Sequence, residues 1–541
     1  MVRRRWLTSL LAMVLFLSAG MTAFVGGVVA QDEGDRPVLR FGVNAADLAT
    51  LDPHFASGTQ DRTVVDMVFN GLVRYVPGNS AEIEPDIAVA IPEPEIVDGT
   101  QVWTFELRDD VMCHPGPDSD AYPLTADDVV YSLQKSADTD RSAYAGDYAG
   151  MTVEKVDDHT VAITMNSPLS PTLFLPKVAN YAGGFIVCQQ AVEAMGDEAF
   201  TTNPVGTGPF MFESYTPQNS VVLTANDDYF RGAPKLGGVE VRYMPDTSSR
   251  ELGLQSGELD AASGLSEAQW VERINTEGNL IADVFGVGEA AFINLNVTQE
   301  PLDDPLVRQA IALAVNRDEH TALYGEPVAE NIYSVVPAQL MPGGLTQEEA
   351  AAADVAYEQD LERARELLAE AGHPDGFSID LITSEMAAYR ANYEVLQAEL
   401  AEIGITVNLN VVDHATMHEQ IREDVNPIVI YVAYRPNADV YLTNFFHSDS
   451  IVVDGESPIT NFSHYAEIDD LIEQARAETD PAAQEELWKQ ANIQILEDMA
   501  AFPLHYQNQV YARTPAVDYG HELVSSLALY PQITELTTVE R

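Results

Sequence analysis

The sequence predicts an α/β fold of more than one lobe, and three observations carry that prediction. The chain has 541 residues, more than a single hydrophobic core usually organises. Its 46% hydrophobic and 8% aromatic content is that of a globular protein, in spite of a formal charge of −57. Over 377–434, strand and helix patterns alternate with short connections. A cleft between lobes is therefore available to a ligand.

In chain order, the N-terminus carries Arg3, Arg4 and Arg5, has no charge from Trp6 to Ala30, and turns polar at Gln31 and Asp32. That is the layout of an export signal. Val28 and Ala30 suit cleavage after Ala30, which makes 1–30 a signal peptide, but the apolar run is also long enough to anchor in a bilayer. No cysteine lies near the cut, so a lipid-anchored mature N-terminus is excluded. The paired arginines fit an ordinary basic leader better than twin-arginine export.

Trp103, Phe105 and Leu107 alternate with polar residues as in a half-buried strand, and Thr125 with Asp128 forms a capping-box start for a helix through Val129, Val130 and Leu133. Asp304 and Pro305 open another helix, whose apolar face is Val307, Ala310, Ile311, Ala314 and Val315. A third helix spans 361–371 and stops at Gly372 and Pro374. The segment 377–434 then reads as a parallel βαβαβ unit, with strands marked by Ile379 and Leu381, by Ile405 to Val411, and by the apolar run Ile428 to Val432. Ligands sit beyond the carboxyl ends of such strands, which nominates Ser384 to Arg390 and Tyr434 to Asp439.

Composition excludes several functions. With 85 acidic against 28 basic residues, the surface repels nucleic acid. Loss of Arg3, Arg4 and Arg5, with no acid beside them, would take −57 to −60. Only five lysines occur (Lys135, Lys155, Lys177, Lys235 and Lys489), so the acidity reads as a surface adapted to high salt, where short Debye lengths screen self-repulsion. Cys113 and Cys188 are the two cysteines; a disulfide and two buried thiols are both open, and a cysteine-rich metal site is not.

The sequence holds no serine nucleophile elbow, zinc-protease helix, phosphate loop or dinucleotide glycine pattern. The nearest approach to a metal site is Asp413, His414 and His418, where Glu419 follows the second histidine instead of the first; polar residues on a surface helix are the better reading. The run Gly206 to Pro209 reads as a turn into a strand. No cofactor is expected.

Several blocks carry a family resemblance. LDPHFASGTQDRTVVDMVFNGLVRY from Leu51, FELRDDVMCHPG, PLTADDVVYSL, NPVGTGPFMFESY, NDDYFRGAPKLGGVEVRYMPD, LQSGELD, PLVRQAIALAVNRD and ARELLAEAGHPDGF resemble, in order, the family 5 extracellular solute-binding proteins, which serve ATP-binding-cassette importers of dipeptides, oligopeptides and nickel complexes. The resemblance implies a periplasmic-binding-protein-like, three-lobed fold: lobe Ia from 37–77, 207–289 and 506–541, an inserted lobe Ib over 78–206, and lobe II over 290–505. It also implies a non-enzymatic, extracytoplasmic monomer that hands a small organic solute to permease and ATPase subunits. A ligand-presenting sensor or chaperone of the same fold and an exported hydrolase are the rival readings.

By matching motifs, ligand contacts fall on Ser57, Gly58 and Thr59 after the first strand and on Tyr431, Tyr434, Arg435 and Asn437 near the end of a lobe II strand, with Tyr389 and Arg390 nominated by position. Peptide binders of the family carry an aspartate here that holds the ligand ammonium. This chain reads YRPNAD, with Tyr434 in the aspartate's place, Arg435 beside it and Asp439 nearby. A buried ammonium without a carboxylate partner costs several kcal/mol, so the substitution disfavours free-amine peptides and favours an anionic or blocked ligand.

Overall fold

A computed structural model describes residues 36–540 apart from Asp98; the export segment read over 1–30 lies outside the described residues. Fifteen strands are needed to place the cleft. They are β1 (Val38–Val43), β2 (Glu95–Val97), β3 (Thr100–Glu106), β4 (Met151–Asp157), β5 (Thr160–Met165), β6 (Phe210–Thr216), β7 (Ser220–Ala225) and β8 (Gly238–Tyr243), followed by β9 (Ala261–Ser263), β10 (Ile281–Leu295), β11 (Ala329–Asn331), β12 (Ser378–Ser384), β13 (Thr406–Val412), β14 (Ile428–Ala433) and β15 (Ala501–Arg513). Eight helices matter: α1 (Thr59–Val68), α2 (Ala126–Ser136), α3 (Pro305–Ala314), α4 (Leu361–Glu370), α5 (Ala387–Glu402), α6 (His414–Arg422), α7 (Ala438–Phe446) and α8 (Pro481–Glu497).

A nine-stranded sheet runs β6-β7-β8-β1-β9-β15-β10-β14, with β11 on β15. β1 lies parallel to β8 and β9, and the other pairings are antiparallel. β10 and β15, at 15 and 13 residues, are the longest strands and carry the sheet from one core to the next. Around β1, Leu39, Phe41 and Val43 join Val64, Val68 and Phe69 of the α1 region; beyond Ala290, Ile293 and Leu295 of β10 pack with α3, α4, α5 and β14. The alternation of β10 splits its residues between two faces. Ala291 and Ile293 face one cluster, while Ala290 and Phe292 face another that contains Tyr441, Phe445 and Trp488.

The small sheet β2-β3-β5-β4 forms because Trp103 and Phe105 of β3 and Val161 and Ile163 of β5 alternate inward. Trp103 stacks on Phe174 at 4.2 Å. The expected capping box opens α2, where the Thr125 amide donates to Asp128 at 3.0 Å. Asp304 caps α3 by accepting from the Leu306 amide at 2.9 Å, and Asp360 caps α4 the same way from Arg363 at 2.9 Å. Cys113 and Cys188 are bonded to each other and tie β-structure near 113 to the segment before 189.

One expectation is corrected. β12 and β13 pair in parallel, but β14 joins neither: it is the edge of the nine-stranded sheet, antiparallel to β10. The junction is made by a side chain. Asn426 accepts from the Ile382 amide at 2.8 Å and donates to the Ile382 carbonyl at 2.9 Å, imitating a strand partner where the next residue, Pro427, has no amide hydrogen to give.

Candidate binding cleft

The chain leaves β1 at Val43 and reaches α1 through a loop whose shape is fixed by buried polar contacts. Asp61 of α1 accepts from the Ala49 amide at 2.8 Å. Asp52 takes both of its oxygens to the Lys135 ammonium at 2.9 and 2.8 Å, with both side chains buried. His54 accepts at Nδ1 from the Lys135 ammonium at 3.3 Å and donates from Nε2 to the Phe185 carbonyl at 2.9 Å; burial and the adjacent ammonium drive its pKa down to about 3. These contacts set Ser57 exposed and Gly58 and Thr59 half-buried at the start of α1. Thr59 and Gln60 then line a depression of about 200 Å³ with Asn44, Ser263, Gly264 and Tyr511.

A second candidate surface is built at the carboxyl end of β14. Tyr441 of α7 donates to the Ala433 carbonyl at 3.1 Å and Tyr393 of α5 accepts from the Ile430 amide at 2.9 Å, holding the strand from both sides. Tyr431 meets Phe462 at 5.2 Å and His418 at 5.9 Å between ring centres, and Arg422 donates to its hydroxyl at 3.1 Å. His414 and His418, one turn apart on α6, lie 4.5 Å from each other, and Tyr389 closes the group at 4.7 Å from His414. Both histidines are half-buried in this aromatic cluster. Burial, His414 and Arg422 lower the pKa of His418. Among the described residues no group of three or more histidine, cysteine or acidic side chains could hold a metal ion.

Tyr434 and Arg435 diverge. Tyr434 packs against the core around β1, with Tyr181, Tyr75 and Arg62 as electrostatic neighbours, so it crosses from the β14 wall toward α1. Arg435 lies over the Phe445 ring at 4.9 Å and donates to the Tyr434 carbonyl at 2.8 Å, and its Nε is buried without a partner. Burial lowers its pKa, and no acidic group appears among its electrostatic neighbours. Asp439 does not fill the gap, because it is paired with Arg476 at 3.3 Å.

The other nominated residues are distributed as follows. Asn437 caps α7, accepting from the Val440 amide at 3.0 Å, and lines an apolar cavity of about 320 Å³ with Tyr75, Leu175, Met341 and Trp488. Arg390 pairs with Glu394 at 3.1 Å on its own helix. Tyr389 and Tyr431 are brought together through His418.

Sequence reasoning missed Glu289. It sits on β10 where the ladder to β15 breaks between Phe285 and Glu289, exposed between buried Gly288 and Ala290. Its carboxyl is raised by desolvation alone, and it acts electrostatically on Tyr324, Tyr389 and Tyr441. The signal was present: two glycines in the strand-like run FGVGEAAFINL point to a bulge, and bulges re-aim side chains.

Residues 82–452 match the family model of the bacterial extracellular solute-binding proteins, family 5 middle. The dipeptide-binding protein of Escherichia coli is 28% identical over 472 residues, 82% of this chain and 84% of that one. The structure of MoaA from A. tumefaciens R10 in complex with mannopinic acid is 40% identical, with a TM-score of 0.75 over 94% of this chain and 100% of that chain. The Helicobacter pylori DppA complex with the peptide STSA is 25% identical, with a TM-score of 0.72 over 93% and 98%.

Proposed function

This chain belongs to the bacterial extracellular solute-binding proteins of family 5, and on that premise we propose that its cleft takes a small organic acid, of which mannopinic acid, the ligand of the MoaA structure, is the leading candidate. The chain is a substrate-binding protein of an ATP-binding-cassette importer, as its relatives are. The observation that carries the ligand class is Arg435. In a chain with 85 acidic side chains, a half-buried guanidinium with an unpartnered Nε and no acid beside it is costly unless a solute completes it.

The lobe boundaries at 289/290 and 505/506 are part of the same reading. They are supported by the ladder between β10 and β15, whose register breaks at Phe285/Glu289 and again at Ala291/Phe292, so the two connecting strands can flex there. A solute that touches both walls stabilises the closed form by its differential affinity for it. Closure is the state the permease reads, and ATP hydrolysis in separate subunits supplies the energy. Export through cleavage after Ala30 completes the proposal.

The test is titration with mannopinic acid followed by mass spectrometry of the recovered compound. Stoichiometric binding, a raised melting temperature of the kind mass action gives and unchanged compound support the reading. No binding would remove the organic-acid assignment, and a new product would make the protein an enzyme.

A further inference from the structure

One short segment, 169–174, contributes side chains to two hydrophobic clusters. Leu169 is gripped by Gln101 of β3, which donates to its carbonyl at 2.8 Å and accepts from its amide at 3.1 Å. Ser170 and Pro171 then start the short helix Pro171–Phe174, with the Ser170 hydroxyl accepting from the Leu173 amide at 3.3 Å. That turn divides its side chains. Phe174 goes to the cluster around β1 and β3, stacked on Trp103, whereas Leu173 goes to the cluster of Tyr441, Phe445 and Trp488 from α7 and α8.

A polar contact accompanies Leu173. The Ser170 hydroxyl donates to the Gln484 side-chain oxygen of α8 at 2.7 Å, across 314 residues of chain, and both side chains are fully buried. The Gln484 amide nitrogen donates to the Ala475 carbonyl at 2.6 Å, so its own side of the seam fixes the oxygen toward Ser170. Tyr434 makes the reciprocal crossing, from the end of β14 into the cluster around β1. The cavity of about 320 Å³ lies in the same seam, between Pro171, Thr172 and Leu175 on one side and Met341, Ala438 and Trp488 on the other, and no charged side chain lines it. In a chain with 85 acidic residues, that neutrality lets the two sides meet without burying a carboxylate.

Resting on the two-lobe reading above, we propose that Ser170, Leu173 and Gln484 form an interlobe latch that holds the cleft shut by protein contacts alone, so that the closed form is populated before any solute binds. Parting the lobes breaks a buried hydrogen bond and draws Leu173 out of an apolar cluster. The latch touches no solute. It raises the apparent affinity for every solute by the same factor, through the fraction of protein already closed. Loss of the Ser170 hydroxyl is expected to lower the closed-to-open ratio roughly two- to tenfold.

The experiment is small-angle X-ray scattering of the solute-free protein at falling salt, for wild type, Ser170→Ala and Leu173→Ala, with near-UV circular dichroism to establish that each sample is folded. Lower salt lengthens the screening distance, so the charge of −57 pushes the lobes apart. Each variant is expected to expand at a salt concentration roughly twofold or more above that at which wild type expands. Expansion of all three at the same salt overturns the latch and leaves the two-lobe reading intact. A radius of gyration that stays constant in all three while they remain folded removes the movement of the lobes, and the latch with it. Ser170→Ala deletes a single oxygen, so the comparison with wild type stands if Leu173→Ala fails to fold.

Discussion

The two candidate surfaces, one beside β1 and one at the end of β14, treat their charged groups in opposite ways. On the β1 side the charges beneath the loop are paired: Lys135 and Asp52 bond to each other, and buried Arg250 donates to the Ser263 and Met244 carbonyls at 2.8 and 2.5 Å and to Thr247 at 3.0 Å. On the β14 side, Arg435 has one bond, to its own neighbour's carbonyl, and Glu289 has no cation. Satisfied polar groups hold a structure in one shape, and a charged group left incomplete is a place a ligand can complete. In the proposed reading the β1 side is a platform and the β14 side is where recognition is concentrated.

That contrast breaks most visibly at Lys135. Lys135→Met should leave Asp52 buried without its partner and cost about 3–5 kcal/mol of stability, read as a shift in the denaturant midpoint at constant slope. A loss below about 1 kcal/mol would mean that the loop before α1 does not depend on the pair. A smaller effect separates titration from packing. Burial, with His320 nearby, holds His505 at about 3, below its ordinary 6.5, so the folded state binds fewer protons than the unfolded one. Its contribution is complete above pH 6.5 and is lost as pH falls toward 3. His505→Phe should therefore flatten the acid limb of a stability curve by up to about 1.4 kcal/mol per pH unit between those values. An unchanged slope would show that His505 is reached by water before the protein unfolds. The smallest effect on stability belongs to Arg435→Ala, which breaks no ion pair within the protein.

How much of this was legible in the sequence depends on the range of the interaction. Helix starts at Thr125 and Asp304 were readable because a cap is decided within three residues. Strand partners were not: the apolar run at 428–432 looks the same whether it pairs with β12 or with β10, and the deciding facts are Pro427 and the side chain of Asn426. The disulfide was left open because it joins residues 75 apart. At the candidate site, strand-end position nominated Tyr389 and the family resemblance nominated Tyr431, Tyr434 and Arg435, and the structure shows the first two in one aromatic cluster and the last two diverging. Glu289 escaped because its neighbours come from β15, α5 and α7, which are distant in sequence.

The central claim is that Arg435 is completed by the solute. Calorimetric titration of wild type and Arg435→Ala with mannopinic acid, at matched salt and with folding checked by melting, tests it most directly. Truncation leaves the ligand's acidic group buried and unpaired, a loss on the order of 2–5 kcal/mol, so the complex should weaken by roughly tenfold to several thousandfold while the melting temperature of the free protein hardly moves. An affinity within about threefold of wild type would place Arg435 outside the recognition site and contradict the account.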